Sequence, residues 1–233
     1  SVSSIRADAI TDEILEGIRQ SSQRTLTLAP EVASDKLRSL TGKRISADVL
    51  FGVVERALQK GIYNFRLYFM IGFPQEDDQD VHDIAGLASQ VQKLMRSAAK
   101  QTGKMGKLTL SVNPFVPKPF TPMEAEPFAD QAVLTRRIRG LKSSIGRIGN
   151  TGLLVESPRM ARLQCVFARG DRRAGSLVES AAGGGPIAQM MRQYSEEIER
   201  YSGRQPHQDG MRPWGVIRPP SAQRKIRKKE EFN

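Results

Sequence analysis

The sequence predicts an α/β protein, a parallel sheet of βαβ units followed by a mostly helical extension. Short apolar runs alternate strictly with amphipathic stretches over residues 1–123, and after Met123 helical patterning takes over. Ser1 to Ala7 is a short first run, and Thr11 then opens a helix by offering its hydroxyl to the amides of Asp12 to Ile14. Gln23 to Pro30 alternates Thr25, Leu26, Thr27 and Leu28 as a strand that Pro30 ends. Ser34 caps a short helix, and in Ala47 to Lys60 the residues Val49, Val53, Val54, Ala57 and Leu58 share one helical face, which Gly61 closes. Asn64 to Phe73 follows as a strand with Phe65, Leu67, Phe69 and Ile71 on one side. Glu76 to Lys100 is a long helix with an acidic opening, as the macrodipole favours, and an apolar stripe from Val81 to Met95. Leu108 to Phe115 completes about four parallel strands.

Beyond Met123, Ala129 to Ile148 reads as a basic amphipathic helix, Gly152 to Glu156 as a short strand and Pro158 to Phe167 as a helix. A charged loop at Arg169 to Arg173 precedes Leu177 to Ala182 and Pro186 to Tyr201, two helical stretches separated by three glycines. The organisation expected is therefore 1–123 for the sheet, 124–201 for the helical extension and 202–233 for a linker and basic tail.

Of 233 residues, 39% are apolar, enough for a core, and no apolar run approaches the ~18 residues that span a bilayer. A single cysteine, Cys165, excludes an internal disulfide framework, a cysteine-rich zinc site and a protein-supplied iron–sulfur ligand set, and fits a cytoplasmic protein. Cys165 itself reads as a small buried hydrophobe, and His82 and His207 have no ligand partner at helical spacing. The net charge of +11 invites a nucleic-acid partner, yet it is uneven: Arg212 to Lys229 holds seven basic residues and no acid, whereas Gln75 to Asp83 holds five acids. Because the chain opens on a serine within a patterned segment, a fragment is expected.

Ligands of parallel α/β proteins sit at the carboxyl ends of the strands, so polar residues there carry weight. The first end offers Arg6 and Asp8. The second offers Glu31, whose carboxylate either accepts hydrogen bonds from a ligand's hydroxyl or ammonium groups or caps the helix from Ser34. The third is Tyr68 to Pro74, where Gly72 permits close backbone approach to a flat ligand and Pro74 fixes the turn, although a glycine–x–proline end is also a steric commonplace. The fourth, Asn113 to Pro122, is stiffened by prolines and either presents Asn113 and Lys118 to a cavity or carries the chain across the mouth of the sheet.

The ordered series Ser4 to Asp8, Thr25 to Glu31, Leu67 to Pro74 and Asn113 to Pro122 resembles the later strands of radical S-adenosylmethionine (SAM) enzymes, closest to Fe–S oxidoreductases with an N-terminal cobalamin-binding domain. Arg169 to Arg173 and Pro213-Trp214 are similar to that group's C-terminal region. The resemblance implies the second half of a partial (β/α)6 TIM-like barrel. In that family a 4Fe–4S cluster on a CxxxCxxC loop cleaves SAM reductively to a 5′-deoxyadenosyl radical, and cobalamin is carried on a separate domain.

It further implies that Arg6 and Glu31 contact the methionine part or ribose of SAM, that the adenine lies along Tyr68, Met70, Gly72, Phe73 and Pro74, and that Asn113 and Lys118 face substrate. The CxxxCxxC loop is absent here, so the cluster ligands lie outside this chain, the chain alone is expected to be inactive, and its partners are the missing N-terminal half and a cobalamin domain. No catalytic residue and no metal ligand is assigned, and the substrate is not specified by the resemblance. Two rival readings share these residues: a non-catalytic nucleic-acid-binding α/β module, drawn from the charge, and a radical SAM methylthiotransferase of RNA or protein.

Overall fold

The computed structural model describes residues 4–21, 25–42 and 45–203. It divides into two units, the first made of residues up to Phe115 together with Ala129–Pro158, the second of Val116–Phe128 together with the chain from Arg159.

The first unit follows a strict order. A turn of 3-10 helix at Ala7–Ala9 leads into α1 (Asp12–Gln20), β1 (Thr25–Glu31), α2 (Asp35–Thr41), α3 (Ala47–Gln59), β2 (Asn64–Ile71), α4 (Asp78–Thr102), β3 (Leu108–Pro114), α5 (Gln131–Gly146) and β4 (Thr151–Val155). Helix starts are set by side chains that accept the first free amides: Thr11 from Ile14, Ser34 from Leu37, Ser46 from Val49 and Asp130 from Ala132 and Val133. Asp77 and Asp80 form a reciprocal capping box at the head of α4, so the acidic run Glu76 to Asp80 lies at the positive end of the helix dipole.

The four strands are all parallel and lie side by side in chain order, β1-β2-β3-β4. Consecutive right-handed crossovers between neighbouring strands place every connecting helix on the same face of the sheet. Burial follows that geometry. Leu26, Leu28, Phe65, Leu67, Phe69, Ile71, Leu108, Leu110 and Val112 point to the helix side and are all at most 1% exposed. The alternate residues Thr27, Arg66, Tyr68, Met70, Thr109, Ser111 and Asn113 are only half-buried, and Leu154 on the same face is exposed. This second face carries none of the helices that connect the strands.

The α/β class and the parallel sheet agree with expectation, but the fourth strand is not the one anticipated. The N-terminal segment contributes a single bridge, Ile5 to Leu28, while Thr151–Val155, placed by patterning in the extension, pairs with β3 in full register. Together with α5 it belongs to the sheet unit, so the units interleave where the sequence suggested one boundary at 123/124. Val49 is exposed and Leu50 takes its place inside, a rotation of the apolar face of α3 by one position.

The second unit contains α6 (Pro158–Arg169), α7 (Gly175–Ala182), α8 (Ile187–Gln193) and α9 (Ser195–Ser202) around Leu163, Val166, Leu177, Met190, Ile198 and Tyr201. The single helix expected over 186–201 is broken at Tyr194, whose backbone (φ −110°, ψ 33°) leaves the helical region. Arg169 is wholly buried and donates to the carbonyl oxygens of Glu126 and Gly203. The basic tail and Pro213-Trp214 lie outside the described residues, as does His207.

Candidate functional site at the carboxyl edge of the sheet

The carboxyl ends of β1, β2 and β3 gather most of the residues singled out in the sequence. Glu31 ends β1 with φ 65°, a left-handed conformation rare for a non-glycine residue. The β1–β2 ladder slips between Leu28 and Glu31, an irregularity that turns the strand end out of its regular alternation. Backbone strain of this kind concentrates where a side chain must be aimed. The helix-cap alternative for Glu31 falls away, because Ser34 Oγ occupies that role. Arg6, next to the Ile5 bridge, is exposed and pairs with Asp8 at 2.6 Å, and the hydrogen bond and charge of Asp8, with a lesser contribution from the charge of Glu31, push its guanidinium up.

Tyr68 and Met70 lie on the second, half-buried face beside their register partners Ser111 and Asn113. The turn after β2 is built differently from its sequence reading. Gly72 has φ 89°, and a β-carbon there would come within 2.9 Å of Leu134 Cδ2 and 3.0 Å of Ala129 Cβ. Glycine is thus required by its backbone and by packing within the unit, without reference to a ligand. Phe73 is 5% exposed with its ring stacked on Phe115 at 4.4 Å, a core contact. Pro74 leads the chain into the acidic segment. Lys118 is exposed and belongs to the second unit.

Two residues that patterning passed over hold this turn. The Glu76 side chain, 1% exposed, accepts hydrogen bonds from the amides of Gly72 (2.8 Å) and Phe73 (3.4 Å) and from Arg137 Nη1 (2.7 Å), while Arg137 Nη2 donates to the Glu76 carbonyl. Burial pushes the Glu76 carboxyl above its ordinary range, against the pull of the Gly72 amide and the Arg137 charge. The amides of Gly72 and Phe73 are therefore already engaged, and the turn is a rigid, internally satisfied corner. The only sequence signal for it was an acid two residues after the glycine–x–proline turn, readable as a helix opening.

Cys165 is buried in α6, and burial pushes its thiol up against the opposing charge of Arg169, which leaves it the packed hydrophobe expected. Among the described residues no group of three or more His, Cys, Asp or Glu side chains could hold a metal ion. One cysteine supplies one of the three thiolates a CxxxCxxC cluster needs, so a 4Fe–4S cluster does not fit the residues of this chain. Nor is any helix among the described residues long and apolar enough to cross a membrane.

No family model matches the sequence. The uncharacterized protein MJ0966 of Methanocaldococcus jannaschii is 30% identical over 181 residues, which is 77% of this chain and 37% of that protein. The chain thus spans little more than a third of the length of the relative it matches, and the relative's description names no activity.

Proposed function

We propose that this chain forms a SAM-facing wall of a larger radical SAM oxidoreductase of the cobalamin-domain type. The observation that carries the reading is the winding of the sheet: four parallel strands in chain order, with a half-buried polar second face and Arg6, Asp8 and Glu31 at their carboxyl edge. That arrangement supports reading the sheet as an arc of a β/α barrel, a fold whose inner face and carboxyl rim hold ligands. In this reading the curvature continues into further strands as a partial TIM-like barrel in the cytoplasm, and the cluster's chemistry, one-electron cleavage of SAM, is supplied by residues of another part of the protein. The residues of this chain bind and orient. Glu31 accepts from the ribose hydroxyls or the ammonium group of SAM, Met70 and Tyr68 flank the adenine, and Asn113 faces substrate. The corner held by Glu76 and Arg137 keeps the end of β2 from shifting when the ligand arrives. Arg136 and Arg137 on the basic helix α5 are paired with Asp78, which lowers the charge α5 offers to a nucleic acid.

Titration of the isotopically labelled chain with SAM, read by amide chemical shifts, tests the proposal. Perturbations confined to Arg6, Glu31, Tyr68, Met70 and Asn113 and their immediate neighbours, and lost in Glu31→Ala, are expected. Shifts scattered elsewhere, or identical shifts in Glu31→Ala, sink it.

A further inference from the structure

At the opposite, amino end of the same face lies a feature the SAM reading does not use. Arg66, on the central strand β2, is half-buried and its Nε is buried without a hydrogen-bond partner. In the parallel ladder its neighbours are Thr27 on β1 and Thr109 on β3, both on the same face, and the row ends at Gly152 on β4. Lys107 reaches over that glycine: a β-carbon at Gly152 would stand 3.4 Å from Lys107 Cε and 3.8 Å from Nζ. Neither Arg66 nor Lys107 enters an ion pair with a described residue. The strand segments 25–28, 64–67, 107–110 and 150–153 contain no aspartate or glutamate at all.

A buried guanidinium N–H left unmatched is costly, since water no longer satisfies it and no protein acceptor replaces it. Elsewhere in this unit the same side chain is fully answered: Arg137 binds Glu76 and Asp78. Gly152 leaves room for the Lys107 stem to lie across the sheet, bringing a second cation to the row, and Thr27 and Thr109 add hydroxyl donors beside Arg66. With strands about 4.8 Å apart, Arg66 and Gly152 are separated by roughly 10 Å of backbone, a span that two long side chains close around a small ligand. We infer that Arg66, with Lys107, Thr27 and Thr109, forms a binding site for the oxyanion of a small molecule, a carboxylate or a phosphate. Planar forked donors suit either group, and the absence of acidic residues in these segments removes both competition and repulsion.

The site stands apart from the SAM contacts, four residues up β2 at Met70, and does not depend on them. The labelled 233-residue chain is titrated with inorganic phosphate and, separately, with acetate, as wild type, Arg66→Gln, Arg66→Lys, Lys107→Gln and the outer-surface control Arg136→Gln. Expected are shifts at Thr27, Arg66, Thr109 and Gly152, an affinity roughly tenfold or more weaker in Arg66→Gln, a smaller loss in Lys107→Gln and none in Arg136→Gln. Stronger binding of phosphate identifies a phosphorylated ligand, stronger binding of acetate a carboxylate ligand. Arg66→Lys keeps the charge and serves if Arg66→Gln fails to fold by circular dichroism. Equal affinity in every folded variant means an adventitious ion only and overturns the inference, as does the absence of binding by either anion. Failure of SAM to perturb the carboxyl edge would remove the SAM reading and leave this result untouched.

Discussion

The two faces of one sheet, made of the same residues in strict alternation, are finished to different degrees. On the helix side the positions of β1, β2 and β3 from Leu26 to Val112 are apolar and dry, and the corner at its edge is closed by Glu76 and Arg137 with each charge answered. On the other side the same strands offer Thr27, Arg66, Tyr68, Thr109, Ser111 and Asn113, half-buried, with an arginine Nε lacking a partner. Parallel strands ordinarily bury both faces in apolar side chains. A polar second face is stable only because few of its groups are taken fully out of water, and it leaves chemistry available that a packed face does not. Stability and function are thus divided between the two faces.

The sharpest way to break this contrast is to unmake the corner. Glu76→Ala removes the carboxylate that accepts from Arg137 Nη1 and from the amides of Gly72 and Phe73, leaving Arg137 only Asp78 and the residue 76 carbonyl, and should cost about 3–5 kcal/mol in urea unfolding of the chain. On the helix face, Leu67→Ala at the centre of β2 should cost about 2–5 kcal/mol, because its cavity is ringed by Phe65, Phe69 and Leu110 neighbours that cannot collapse freely. On the second face, Ser111→Ala and Thr109→Val should each change stability by no more than about 0.5 kcal/mol in the same measurement. A large loss there would show that the face is a packed core and would erase the distinction.

The smallest effect is a matter of pH. Lys36 and the Asp80 amide hold the Asp77 carboxyl down to about 2, from an ordinary value of 3.8. A carboxyl depressed by folding stabilises the native state above its unfolded value, and that contribution is lost as pH falls from about 3.8 towards 2. Unfolding curves collected across that window should show a shallower acid decline in Asp77→Asn, and identical slopes would place the acid sensitivity elsewhere.

The parallel α/β class, most helix positions and several caps were legible in the sequence, because period, capping chemistry and glycine ends are local properties. Thr11 and Ser34 are the cases in point, each capping the helix its position announced. The strand-end location of Arg6, Glu31 and Met70 was legible for the same reason, as it needs only the direction of each strand. What local pattern could not decide was partnership. Thr151–Val155 has the same apolar character wherever it goes, and only the free edge of β3 made it the fourth strand. Phe73 and Gly72 sit at a strand end that suits a ligand, yet Phe115, Ala129 and Leu134, distant in sequence, claim their space. Glu76 looked like one more acid at a helix start until Arg137, sixty-one residues on, met it in the core. In the sequence Arg66 is one polar position in an alternating strand. The order of the strands and the common hand of their crossovers, which put all the connecting helices on one side, made its face the one those helices leave uncovered, and the tertiary structure alone decided that it stands there without an answering charge.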